Sequence, residues 1–239
     1  GISPLSDCDY VEVLYWNNSG ATWRRNKQWL NHTVGCCKWQ GLRCNRDGRI
    51  TAVELGREKG FTGVLPAAIA RLSELEKLTL HRTSLSGTLP PELGAGGSLR
   101  NLRTLRVGRS KLSGTLPAGL FTIPELDELY LKRTRLSGTL PREIGGLSEM
   151  RELELDEARL SGTLPQQLAN LLKLRKLGIK ENRFRGYLPD NLHYFMEKCS
   201  ITERKELHSP SPPPAPPYRP WSAPSPPAPS PPAVVPPYR

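Results

Sequence analysis

The chain has 239 residues, a formal net charge of +11 at neutral pH and 37% hydrophobic residues. That length suffices for one domain with a continuous core, and no run approaches the roughly 18 apolar residues of a helical membrane span. The positive balance favours anionic partners bound with salt-sensitive affinity, while no nucleic-acid recognition motif is present.

Residues 1–49 read as an amino-terminal cap. The chain starts at Gly1 without a charged-then-apolar leader, which is expected of a mature chain after removal of a signal peptide. Cys8, Cys36, Cys37 and Cys44 all precede the first repeat. The adjacent pair Cys36-Cys37 does not suit a simple C-x-x-C metal knuckle. Four cysteines allow three disulfide pairings, with a zinc site as the alternative. Disulfides would place the chain in an oxidising, extracellular compartment. The sequons at Asn17 and Asn31 are candidate N-glycosylation sites. Trp16, Trp23, Trp29 and Trp39 lie in the same region. They are expected to form the cap core, because a solenoid end must be covered; an aromatic sugar platform is the alternative.

Residues 50–195 repeat. The hexapeptide Leu-Ser-Gly-Thr-Leu-Pro starts at Leu85, Leu112, Leu136 and Leu160, with relaxed copies at Phe61 and Phe184, at intervals of 24, 27, 24, 24 and 24 residues. A fixed period in the twenties marks a solenoid whose units bury their apolar faces against one another. The spacing in Leu78-x-Leu80 predicts a short strand with one buried face. Gly87 and its equivalents permit a tight turn, and Pro90 and its equivalents rigidify the next step. The Pro-x-x-Leu segments that follow predict a helical or 3₁₀ turn. Three extra residues around 94–102 predict a bulge.

The template Leu75-x-x-Leu78-x-Leu80-x-x-Thr83-x-Leu85-Ser-Gly-x-Leu-Pro resembles the plant-type leucine-rich repeat family. The resemblance implies an α/β solenoid with short parallel strands on a concave face and a 3₁₀ or helical convex side. Where that family carries a buried Asn ladder, this chain has Thr83, Ser110, Thr134 and Ala158, with Asn only at Asn182. Ala158 lacks a polar side chain, so a less regular ladder is expected there. The layout Cys…Cys-Cys…Cys resembles the caps of secreted leucine-rich repeat proteins, polygalacturonase-inhibiting proteins among them. That resemblance implies the pairs Cys8–Cys36 and Cys37–Cys44.

Residues 196–208 form a closing cap or linker. Its Cys199 has no partner there, which suggests an intermolecular disulfide or a free thiol. The 209–239 tail has 15 Pro in 31 residues, a composition that favours polyproline II over a packed core. Ser-Pro-Pro-Pro beside the repeats resembles leucine-rich repeat extensins and hydroxyproline-rich wall glycoproteins. The resemblance implies hydroxylation and O-glycosylation at Pro210, Pro212, Pro213, Pro214, Pro216, Pro217, Pro224, Pro226, Pro227, Pro229, Pro231 and Pro232. An unmodified spacer is the alternative.

On the concave face, one column is expected to read Arg57, Arg82, Arg109, Arg133, Glu157 and Glu181, with Arg106, Tyr130 and Lys132 beside it. Glu152, Glu154 and Asp156 add an acidic patch, expected to meet a basic surface of another copy. Lys111, Arg135, Arg159 and Arg183 form a further basic column. The four histidines, His32, His81, His193 and His208, are scattered, and no catalytic constellation, cofactor motif or metal set is evident. Two readings follow. The first is a non-catalytic structural glycoprotein of a cell wall, matrix or surface fibre, partnered by itself or by other matrix glycoproteins. The second is a recognition or inhibitor module that binds a protein, peptide or acidic polysaccharide on its concave face.

Overall fold

The structure is a computed structural model that describes residues 5–186. Cys199, the 196–208 segment, the Pro-rich tail, His193 and His208 lie outside the described residues.

The main sheet has seven strands in chain order: Leu42–Cys44, Ile50–Glu54, Lys77–Thr79, Thr104–Arg106, Glu128–Tyr130, Glu152–Glu154 and Lys176–Gly178. The first pair is antiparallel and the others parallel. Val53, Leu78, Leu105, Leu129, Leu153 and Leu177 stand in one register across it, and each is fully buried. Burying a leucine side chain stabilises by about 1.5–3 kcal/mol relative to exposure. One such residue per rung holds neighbouring units together.

The Leu-Ser-Gly-Thr-Leu segment does more than turn the chain. It forms a second set of parallel strands: Thr62–Val64 with Ser84–Ser86, then Ser113–Gly114, Arg135–Thr139, Arg159–Thr163 and Arg183–Arg185. Each residue type in the hexapeptide has a task. The serine hydroxyl donates to the glycine carbonyl of the preceding unit, as in Ser86 to Gly63 (2.9 Å) and Ser161 to Gly138 (3.3 Å). Gly138 and Gly162 sit at φ +84° and +80°, a region that L side chains rarely occupy. A methyl of the preceding unit covers each of these glycines, from Val64 over Gly87 and from threonine thereafter: a Cβ on Gly162 would lie 2.8 Å from Cγ2 of Thr139.

Proline then starts the convex turn. The 3₁₀ helices Ala67–Arg71, Ala118–Thr122, Arg142–Gly146 and Gln166–Asn170 each follow directly on Pro66, Pro117, Pro141 or Pro165. The three-residue insertion becomes a separate short 3₁₀ turn, Ala95–Gly97, flanked and filled by glycines at positive φ.

The cap is a helix, Asp7–Asn17, with a capping box between Ser6 and Asp9. Both disulfides, Cys8–Cys36 and Cys37–Cys44, are formed. Trp23, Trp29 and Trp39 are buried, and Trp23 stacks on Phe61 of the first repeat at 5.0 Å between ring centroids. Trp16 departs from the expected cap core: it is 66% exposed on the outer side of the helix. Asn17 is exposed at the helix end. Asn31 is half-buried, donating to Gln28 and accepting from Thr33.

Candidate ligand-binding surface

The column Arg57, Arg82, Arg109, Arg133, Glu157 and Glu181 does not lie on the main-sheet strands as expected. These residues follow the strands and adopt left-handed backbone, with φ between 53° and 64°. Such a conformation costs roughly 1–2 kcal/mol per residue for an L side chain. The ladder offsets part of that cost, since each turn still reaches the next rung. Arg57 N–H donates to His81 C=O (2.7 Å), Arg109 N–H to Lys132 C=O (2.6 Å) and Arg133 N–H to Asp156 C=O (2.9 Å). The turn ends the sheet and projects the side chains along its rim.

The acidic patch of the fourth repeat is not available to a second copy in the expected way. Glu154 is 8% exposed and Asp156 3% exposed. Lys176 pairs with Glu154 and reaches Glu152 at 3.9 Å. Lys132 donates to Asp156 at 3.0 Å, and Lys180 N–H donates to the same carboxylate at 2.8 Å. Arg133 holds Glu157 at 2.6 Å, and this contact keeps the Glu157 carboxyl below its ordinary pKa. Earlier rungs follow the same rule. Arg106 pairs with Glu128, and Lys77 pairs with Glu54 at 2.8 Å. The main sheet is therefore laced by cation–carboxylate pairs between adjacent rungs.

What remains is basic. Lys59, Arg82, Thr83, Ser84, Arg109 and Arg133 line an open groove of ≈ 630 Å³ at the rim. Among the described residues, Lys59, Arg82 and Arg109 have no carboxylate partner; the Arg109 guanidinium donates only to the Tyr130 hydroxyl at 3.3 Å. Arg57 is exposed one rung earlier. His81 stands beside this group, its ring 6.3 Å from that of Tyr130. Burial, reinforced by Arg57, Arg106, Arg82 and Arg109, holds the imidazole below its ordinary pKa. It is therefore neutral at pH 7 and does not add to the positive field.

Of the residues expected to bind on the concave face, Arg82, Arg109 and Arg133 come together in the groove. Arg106, Lys132, Glu152, Glu154 and Asp156 are engaged in pairing on the sheet. Two contributors were missed by the column reading. Lys59 enters because the first repeat has one extra residue between Leu55 and Phe61. Glu58, at the ladder position, is buried and accepts from Arg24 N–H (2.8 Å) and Arg25 N–H (3.2 Å), tying the cap to the first repeat. Among the described residues, no cluster of His, Cys, Asp or Glu is placed to hold a metal ion.

The chain matches no protein-family model. It is 43% identical over 58 residues to Receptor-like kinase TMK4 of Arabidopsis thaliana, covering 24% of this chain and 6% of that protein. It is 35% identical over 75 residues to Polygalacturonase inhibitor 1 of Oryza sativa subsp. japonica, covering 31% of this chain and 23% of that protein. The structure superposes on the Arabidopsis receptor kinase HAESA, solved with the peptide hormone IDA and the co-receptor SERK1. There the TM-score is 0.70 and the identity 27%, over 78% of this chain and 31% of that one. The chain thus spans less than a third of each of these three proteins. The fold is a leucine-rich repeat solenoid, and the chain's relatives are leucine-rich repeat proteins of plants.

Proposed function

We propose that this chain is a non-catalytic, extracellular recognition module whose rim groove binds an acidic segment of a peptide or protein. The observation that carries this reading is the contrast in pairing. Carboxylates satisfy the cations of the main sheet, but Lys59, Arg82 and Arg109 meet in an open groove without them. HAESA, which shares the fold, is solved with a peptide hormone, and the rice relative is named as an inhibitor of an enzyme. Both precedents support recognition over catalysis.

A cation within about 4 Å of a ligand carboxylate contributes roughly 1–4 kcal/mol, depending on how much water remains. Reversing two of them should therefore cost at least about tenfold in affinity. The test is a binding screen against acidic peptides and the acidic segments of extracellular proteins, with Arg82→Glu/Arg109→Glu as the comparison. Binding that survives this double reversal unchanged sinks the proposal. The cap disulfides fit an oxidising compartment.

The matrix-glycoprotein reading rests on the composition of the 209–239 tail. Mass spectrometry of the native tail peptide tests it. Hydroxyproline carrying pentose or hexose chains supports a wall or fibre role, whereas the bare sequence mass removes that role.

A further inference from the structure

The outer face of the second sheet carries a different surface from the groove. In the Arg135–Thr139 strand, Leu136 is buried, Arg135 and Thr139 are exposed and Ser137 is half-exposed. The Arg159–Thr163 strand repeats the pattern. Pairing is staggered, so Arg135 lies beside Ser113, Arg159 beside Ser137, and Arg183 beside Ser161. The cations Lys111, Arg135, Arg159 and Arg183 thus form a diagonal row across the strands. With rungs about 4.8 Å apart and a stagger of two residues, successive backbone positions are about 8 Å apart.

Two features make this face unlike the main sheet. First, Lys111, Arg135, Arg159 and Arg183 are exposed and have no carboxylate partner among the described residues, although Arg43, Lys77, Arg106 and Lys176 on the main-sheet strands do. Second, the serine hydroxyls are used internally. The hydroxyls of Thr88, Thr115, Thr139 and Thr163 are not: these threonines are exposed, with only their methyls packed on the next glycine.

We propose that this face binds a linear polyanionic glycan bearing a carboxylate on its successive sugars, laid along this diagonal row. The cations recur once per unit, so a chain with recurring carboxylates engages several of them at once. Guanidinium groups pair with carboxylates in a two-pronged geometry, and the threonine hydroxyls meet the sugar hydroxyls. A peptide or nucleic acid fits less well. The outward positions of the Arg135–Thr139 and Arg159–Thr163 strands are arginine, serine and threonine, with neither the side-chain pockets that sort peptides nor the aromatic platforms that stack bases. A single exposed ion pair is weak, so affinity must come from several contacts made by one chain. This reading does not depend on the groove.

The experiment measures binding of oligomannuronates of graded length by the full chain, with neutral glucan oligomers as controls. Three variants are compared: Arg135→Glu/Arg159→Glu/Arg183→Glu, the charge-matched control Lys38→Glu/Arg71→Glu/Arg100→Glu, and the groove variant Arg82→Glu/Arg109→Glu. All the substituted residues except half-buried Arg109 are exposed, and thermal melts verify folding. The proposal expects affinity to rise with oligomer length, to fall with salt, and to drop at least about tenfold in the first variant only. It is overturned if the first variant binds like the parent, if the charge-matched control loses as much, or if the groove variant alone abolishes binding. Length-independent affinity, or tighter binding of an acidic peptide or a single-stranded nucleic acid to this face, also overturns it.

Discussion

Asn182 makes the hydrogen bonds that Ala158, one rung earlier, cannot make. Thr83, Ser110 and Thr134 each donate a hydroxyl to the carbonyl three residues back, at 2.7, 2.7 and 3.0 Å. Ala158 leaves the equivalent Leu155 carbonyl without that donor. The longer Asn182 side chain reaches across: its Nδ2 donates to Leu155 C=O (2.8 Å) and Ile179 C=O (3.0 Å), while its Oδ1 accepts from Leu160 N–H (3.1 Å). The irregularity expected at Ala158 is therefore bridged from the next unit.

Replacing Asn182 by alanine should strip partners from both rungs. Each unsatisfied buried backbone group costs about 1–3 kcal/mol, so Asn182→Ala should destabilise by roughly 2–4 kcal/mol. Adding Ala158→Thr to that variant should return part of the loss by restoring the local hydroxyl. Urea unfolding of the single and double variants checks both. A loss below 1 kcal/mol would mean that water replaces the amide.

Gly162 is constrained twice, by its φ of +80° and by the Thr139 methyl. Gly162→Ala should cost more than the roughly 1–2 kcal/mol of the left-handed backbone alone. Thr139→Ser removes the methyl, so in that background the same substitution should cost less. A double-mutant cycle measures the difference, and strict additivity would show that the methyl contact is irrelevant.

Asp156 should behave as a structural carboxylate rather than as a ligand contact. It is buried against Lys132 and the Lys180 N–H. Breaking a buried pair from one side leaves the other charge unpaired and costs about 3–5 kcal/mol. Because Lys132 keeps some solvent contact, Asp156→Ala should sit at the lower end of that range. Any ligand affinity at the groove should be retained by the folded fraction. Calorimetry read beside binding separates the two effects.

His81 supplies a pH signature. Burial and the surrounding arginines lower its folded pKa, while the unfolded side chain keeps a value near 6.5. As pH falls below about 6.5, the unfolded chain therefore takes up a proton that the folded chain resists, and stability declines towards the folded pKa. His81→Asn should flatten stability between about pH 7 and pH 5. Glu54, Glu149 and Glu157 act in the opposite sense. Hydrogen bonds from Lys77, Lys173 and Arg133 lower their pKa values. The stability they contribute is present above their unfolded values and is lost only as pH falls through their folded ones. Denaturant titrations across this range distinguish the histidine from the carboxylates.

The solenoid was legible in the sequence because its cause is local and repeated. The apolar spacing around Leu78 and Leu80, the hexapeptide and its period appear in every unit, and burial follows from them directly. The serine, glycine and threonine of the hexapeptide were visible as a pattern, but their work was not, because Ser161 bonds Gly138 and Thr139 covers Gly162 only after the units stack. The same holds for the candidate surface. The basic columns could be read by alignment, yet whether an arginine is free depends on which carboxylate stands one rung away. Arg106 meets Glu128 and Lys132 meets Asp156, while Arg82 and Lys59 face an open groove. The sequence by itself determined which apolar residues of each repeat face inward, because hydrophobic burial depends on position within a unit. Only the tertiary structure decided which charges remain available to a partner, because pairing depends on side-chain distances between neighbouring units that meet only once the units stack.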